Sequence, residues 1–486
     1  MSPLRAPQAR WSRPAGRDRI RRLTNRLPGR RLLGTLRGLV AEARATARQA
    51  TVQRLPEVAA VGRRLVEQLL GEPGAECRQV INATGVLVPF ELAPRLPAAA
   101  LERIRQRLSV DGFAASPPVA DPSREEAALR LLATRAGAEA ALALHNPAGA
   151  LAATFAALGG ERAIIVARRD LARVCRRSGL GVTDVAALAG AQLAPVGHVD
   201  HLTLDHYAAV VAQRPAAIFC IRGGEFEIGG SEPALADLAA LAARAEIPLV
   251  ALLPTAPLLD PPRSLPSEND PSRPRTDAAV FDLGVPTVGG ALAAGVDVVV
   301  CDGHRALGGP ACGVVIGRRE ILSQVAATPL GQVLAADALT LAAIEGILRV
   351  ARDHESAAGA VPLWQMLSAP QGALRSRAQR LAPQIAACSR VKRTEIAPGV
   401  AYLGPGKLAR DRLDDWRILV EPAGCSPAEL AAALDAGSPA VWATIDESLD
   451  GGRLVLSLRS APAGDDERLA LAFTQLGTKP GPPAPG

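Results

Sequence analysis

Asp302-Gly-His-Arg-Ala-Leu-Gly-Gly-Pro-Ala-Cys-Gly313 leaves one apolar run, Val298-Val-Val-Cys301, and enters another, Val314-Val-Ile316. A short apolar run that stops at a glycine- and proline-bearing turn reads as a buried strand with a tight loop at its end. The same texture recurs upstream in RAIIVARR (162–169), AAIFCIRG (216–223) and IPLVALLP (247–254), separated by alanine-rich stretches with helical spacing. Continuous apolar runs alternating with helices predict buried parallel strands in a doubly wound α/β sheet. Ser123, with a glutamate in the first turn, and Ser231, with Pro233 in the first turn, are read as helix starts. The seven prolines between Pro254 and Asp277 predict an irregular excursion. Asp337–Arg352 reads as a helix leading into a smaller C-terminal α/β domain whose late strand is GGRLVLSLRS (451–460). The expected organisation is a basic arm with N-terminal helices over 1–78, a large domain over 79–330, and an interdomain helix with a small domain over 331–486.

A chain of 486 residues is long enough for two or three domains. Aromatics make up only 3%, so the core is expected to be aliphatic. The net charge of +7 is misleading: thirteen arginines against Asp18 and Glu42 crowd the first fifty residues, and the remainder is net acidic. Such an arm suits a polyanion, RNA or DNA phosphate, because each arginine that neutralises a phosphate releases a counterion. A disordered tail and an organellar leader have the same composition. The seven cysteines form no C-x-x-C pair and read as reduced, buried thiols of a cytoplasmic protein. No apolar run approaches the roughly 20 residues of a membrane span.

The phosphate loop G-x-x-x-x-G-K-[ST] is excluded, because the only lysines are Lys392, Lys407 and Lys479. His198, His201 and His206, interleaved with Asp200 and Asp205, form the one cluster of metal-type ligands; their number would satisfy four-coordinate zinc, and a polar connecting loop with Asp205 as a helix cap is the favoured reading. Glu225 and Glu227 read as a surface pair. Asn146, followed by Pro147, suits a plain helix cap.

DGHRALGGPACG resembles the D-K-L-L-G-G-P-Q-A-G segment of bacterial L-seryl-tRNA(Sec) selenium transferases (selenocysteine synthases). VINATG (80–85), AAGVDVVVCDG (293–303) and AADALTLAAIEGILR (335–349) extend the resemblance over roughly 78–360. It implies a fold-type I large domain, pyridoxal phosphate chemistry, a tRNA substrate, and dimer-based assembly as a homo-oligomer or with an active relative.

The resemblance also implies lost chemistry. The Schiff-base lysine falls on Arg305, whose guanidinium stays protonated and forms no practical imine. The aspartate partner of the pyridine nitrogen falls on Leu252, which cannot keep the ring protonated. The family's H-T-N-L-G-R reads Pro89 to Pro94 here, and its G-R-G-H-R reads Ala120 to Arg124. Asn146, Ala148, Gly149 and the turn glycines Gly308 and Gly309 remain as residual cofactor positions. His304, beside Arg305, offers a histidine in place of the lysine but lacks the ring-nitrogen partner. The expectation is a selenium-transferase-like pseudoenzyme with no covalent cofactor and a scaffold, regulatory or binding role. A working transferase holding pyridoxal phosphate noncovalently, and an RNA-binding protein using its arginine arm, are the alternatives.

Overall fold

The computed structural model describes residues 78–89, 92, 95–109, 127–171, 173–175, 180–223, 231–258, 286–404, 412–448 and 452–477. The basic arm, the Ser123 helix start, Glu225 and Glu227, most of the proline-rich excursion, and Lys407 and Lys479 lie outside the described residues. The chain divides into two compact units between Arg78 and Gln79, and every described residue but Arg78 belongs to the second.

In chain order the strands are β1 (Val80–Ala83), β2 (Ala140–Leu144), β3 (Ile164–Ala167), β4 (Arg173–Cys175), β5 (Leu180–Gly181), β6 (Leu193–Val196), β7 (Ala217–Ile221), β8 (Leu249–Leu253), β9 (Val298–Asp302), β10 (Gly313–Gly317), β11 (Val391–Tyr402), β12 (Arg412–Pro422), β13 (Ala440–Asp446) and β14 (Arg453–Ser457). Seven of them make one sheet in the order β2-β10-β9-β8-β7-β3-β6. β10 is antiparallel to both of its neighbours, and every other pairing is parallel. Side chains alternate between two apolar layers. Val299 and Cys301 of β9 and Ala251 and Leu253 of β8 face one layer, while Val298, Val300, Val250 and Leu252 face the other. A sheet buried on both faces needs strands that are apolar throughout, which is why its runs lack polar alternation. The α/β class with a mainly parallel, doubly wound sheet is therefore as expected.

The second sheet runs β1-β13-β14-β12-β11 and is covered by helices Gln371–Ala386, Pro427–Asp435 and Asp466–Gln475. VINATG, read from sequence as the opening of the large domain, contributes β1 to this smaller sheet, pairing Val80 with Ala440 and Ala83 with Ala443. Thr84 and Gly85 are tied there too, since Ser460 Oγ accepts from Gly85 N at 2.9 Å. The run alone, Val-Ile-Asn-Ala, suits either sheet, and the register is decided by partners 360 residues away.

Ser231 is not a helix start. The helix begins at Leu235, behind Ala234. Ser231 to Pro233 are held extended instead: the Ser231 carbonyl accepts from Leu202 N at 3.2 Å and Arg169 Nη1 at 3.4 Å, and the Pro233 carbonyl accepts from Arg222 Nη2 at 2.9 Å. Asp337 does cap helix Ala338–Val350, accepting from Thr340 N at 2.7 Å. Among the described residues no helix is long and apolar enough to cross a membrane.

Candidate functional site

Ligands of open α/β sheets bind in the crevice outside the carboxyl ends of the strands. Here that edge gathers the residues following β2, β8 and β9. Gly313 stands opposite Leu144 on one side and Asp302 on the other. This register brings Asn146, two residues past β2, to the same end of the sheet as the turn after β9. A side chain on Gly313 would collide with the Asn146 carbonyl and the Ala150 methyl, so the close approach of β10 to helix Pro147–Leu158 requires glycine.

The turn itself is a strand end followed by one helical turn. Asp302 caps helix Gly303–Leu307 by accepting from His304 N at 2.9 Å. Gly308 closes it in the left-handed region at φ 68°. Gly303 N donates to the Cys312 carbonyl at 2.8 Å, and a Cβ on Gly303 would lie 2.5 Å from Cys312 Sγ. Leu258 N donates to the Ala306 carbonyl at 3.0 Å, tying in the segment that follows β8.

Arg305 is buried in this turn. Burial pushes the Asp302 carboxyl up, against the charge of Arg305 and the backbone N–H groups that pull it down. Burial, reinforced by the Arg305 charge, pushes the His304 imidazole down to about 4. His304 is therefore neutral rather than cationic at physiological pH. Burial also raises the Cys312 thiol to about 12, which leaves it inert as a nucleophile.

Asn146 is committed to its helix, accepting from Gly149 N at 2.6 Å with Pro147 at the first helical position. Ala148 is half-buried, and a Cβ on Gly149 would fall 2.8 Å from the Leu334 side chain. Leu252 is buried in the layer shared with Val300 and Phe155, one strand from the Arg305 turn.

The three histidines do come together. The rings of His198 and His201 each stand 5.8 Å from that of His206, nearly perpendicular to it. Yet among the described residues no group of three or more histidines, cysteines or acids is placed to hold a metal ion. His206 Nδ1 accepts from Thr203 N at 3.1 Å, which puts the neutral ring's proton on the other nitrogen. Thr203 and His206 form the capping box of helix Leu204–Val211, so Asp205 sits in the first turn and is not the cap.

Sequence reading missed a buried ionic cluster at the ends of β3 and β7. Asp170 accepts from Ile221 N at 3.0 Å, while Arg222 donates to the Ile221 carbonyl at 2.9 Å and lies 3.4 Å from Glu232. Arg169 stands 3.8 Å from the same glutamate. The available signal was charge directly abutting apolar strands, in VARRD and FCIRG. Burial raises Asp170 from 3.8 to about 6, more than the Ile221 N–H and the Arg222 charge lower it. A raised acid contributes most to stability below its ordinary value and loses that contribution as pH rises towards 6. Asp170→Asn keeps an acceptor for Ile221 without the charge. It should be at least as stable as wild type at pH 7.5 and lose that advantage by pH 4, measured as the difference in urea midpoint. A variant clearly weaker at pH 7.5 would mean that pairing with Arg222 outweighs desolvation.

A profile of the family described as L-seryl-tRNA selenium transferase matches residues 80–461. The L-seryl-tRNA(Sec) selenium transferase of Geobacter sulfurreducens is 29% identical over 472 residues, covering 94% of this chain and 96% of that protein. That of Solidesulfovibrio magneticus is 31% identical over 385 residues, covering 76% and 77%. Among solved structures, D-glucosaminate-6-phosphate ammonia-lyase superposes with a TM-score of 0.57 at 15% identity, covering 85% of this chain and 97% of that one, a likeness of fold alone. On the breadth of these matches, the chain belongs to the L-seryl-tRNA selenium transferase family.

Proposed function

We propose that this chain is a selenium-transferase-family protein that has lost Schiff-base catalysis and works by binding, with tRNA as the partner its relatives' name suggests. One observation carries the reading: the glycine turn of the family is kept, but the position that would present the lysine is Arg305, and no lysine occurs before Lys392. Pyridoxal phosphate, the cofactor the family implies, does not fit the residues present. Imine formation needs an amine that can lose its proton, and a guanidinium does not. Leu252 offers no charge for a ring nitrogen and is packed against Val300 and other apolar side chains. Asn146 spends its side-chain oxygen on its own helix. Assembly of two or more copies, or with an active relative, and a tRNA contact through the arginine arm belong to the same proposal, as does the division into 1–78, 79–330 and 331–486.

The test is the absorption spectrum and borohydride-reduced peptide map of the full chain after incubation with pyridoxal phosphate. The expected result is no bound chromophore above 320 nm after desalting, and no adduct between residues 79 and 391. A tight, stoichiometric chromophore without an adduct would replace this reading with that of an enzyme holding its cofactor noncovalently.

A further inference from the structure

Helix Gln371–Ala386 and the start of β11 carry charge of one sign on their outer side. From Gln371 to Arg393 the chain has six basic residues, Arg375, Arg377, Arg380, Arg390, Lys392 and Arg393, and no acid. The helix spends its apolar face on the smaller sheet, where Leu374, Leu381 and Ile385 are buried. Arg377 turns inward with them: Nη1 donates to the Leu458 carbonyl at 2.8 Å, and Nη2 to the Ala461 carbonyl at 2.9 Å and to Asp466 at 2.6 Å. The other five are exposed. Successive residues turn by about 100°, so Arg375 and Arg380 flank the outward crest with Ser376 and Gln379 between them.

Acids do not cancel this charge. Among the described residues only Asp466 and Glu421 come within ion-pair distance of the six. Asp466 is held by Arg377 and stands 3.9 Å from Arg380, and Glu421 is shared between Lys392 at 2.6 Å and Arg393 at 3.5 Å. Arg390 draws on Glu429 only from beyond that distance. Arg375 meets an indole instead of an acid, its guanidinium carbon 5.1 Å from the centre of the Trp416 ring. A guanidinium stacked on an aromatic face keeps its N–H edge for a further partner and is partly ordered in advance.

We propose that the outer side of helix Gln371–Ala386, continued through Arg390, Lys392 and Arg393, is a contact for the phosphate backbone of RNA, an inference that rests on the tRNA reading above. Arg375 and Arg390 stand about 20 Å apart along the helix, enough to span several phosphates of one strand. The exposed side chains between them are polar or no larger than proline, and none of the large exposed apolar side chains falls on this stretch. A protein partner calls for a central apolar anchor and a membrane surface for an apolar face to insert, and this stretch offers neither. Arginine outnumbers lysine five to one, which suits forked contact with phosphate oxygens.

The experiment uses the full-length chain and a transcribed tRNA(Sec), followed by fluorescence anisotropy across a salt series. Arg375→Gln is combined with Arg390→Gln, because neither arginine holds an ion pair that the fold would miss. Arg375→Lys with Arg390→Lys keeps the charge, and Arg105→Gln removes an exposed arginine on another helix. Two lost arginine–phosphate pairs are expected to weaken binding roughly 30- to 100-fold near 0.1 M salt and to flatten the salt slope by nearly two. The glutamine pair should show both effects, the lysine pair the wild-type slope with most of the affinity, and Arg105→Gln no change. A thermal melt separates weakened binding from an unfolded chain, and Lys392→Gln with Arg393→Gln is a second pair expected to act in the same direction. If wild type binds the tRNA and both glutamine pairs match it in affinity and slope, the assignment of this face falls while the tRNA reading stands. If wild type fails to bind tRNA, or binds polyglutamate equally well, the tRNA reading itself falls and takes the assignment with it.

Discussion

Arg459→Lys is expected to lower the unfolding free energy by about 3 kcal/mol or more, a loss at the diagnostic end of what single substitutions do. Arg459 follows β14 and is buried. Its Nε donates to the Asp414 carbonyl at 2.7 Å, Nη1 to Met366 and Leu367 at 2.8 and 3.0 Å, and Nη2 to Ala369 at 2.9 Å. One planar fork thus closes the end of helix Pro362–Leu367 onto the edge of β12. Its own backbone N–H donates to Asp415, which also accepts from Ser457 Oγ at 2.5 Å. Burial pulls this guanidinium below its usual range and pushes the Asp415 carboxyl up, so both charges are tolerated only because each is bonded. A lysine ammonium carries three donors on a flexible stem and cannot reach four carbonyls at once. Each orphaned buried carbonyl costs about 1–3 kcal/mol. Urea unfolding monitored by tryptophan fluorescence measures the loss. A drop below about 1 kcal/mol would show that the carbonyls find other partners and that the fork is dispensable.

The large sheet was legible because its strands β3, β7, β8, β9 and β10 are apolar on both faces and stand between helices. β2 was not, because Ala-Ala-Leu-Ala-Leu suits a helix as well as a strand. Its place at the sheet's edge depends on β10, whose antiparallel return no local pattern announces. The long pair β11 and β12 was missed for a different reason: their faces are mixed in burial and carry many charges, so the period-two signal is weak. At the carboxyl edge the turn after β9 was legible from Gly308 and its neighbours. The Asp170–Arg222–Glu232 cluster was not, since it is assembled from three separate segments. Ser231 shows the limit of capping rules: a good cap residue followed by proline was overridden by two arginines that hold the chain extended.

Arg305→Lys is expected to yield no measurable turnover of seryl-tRNA, the largest functional contrast available, because a single restored amine would make an active enzyme if lysine were all that was missing. The turn would accept the change: Gly308 closes the helix, Asp302 caps it, and lysine follows the path of arginine along its stem. Burial would depress the new amine and help it to react. On the proposed reading the obstacle lies one strand away. A carbanion-stabilising ring needs its nitrogen protonated, and Leu252 on β8 contributes only apolar contact. Asp302 supplies a carboxylate, but it is bonded to the His304 N–H and directed to its own helix. Arg305→Lys is therefore free to form a reducible adduct with pyridoxal phosphate, which borohydride and mass mapping would place at residue 305, while catalysis stays absent. Arg305→Lys with Leu252→Asp would supply both groups that the proposed reading holds to be lost, at the cost of a buried carboxylate in an apolar layer, and is expected to be less stable than either single variant unless the cofactor is bound. Turnover by Arg305→Lys alone would overturn the account of Leu252; adduct formation only in the double variant would show that the two positions act as a pair.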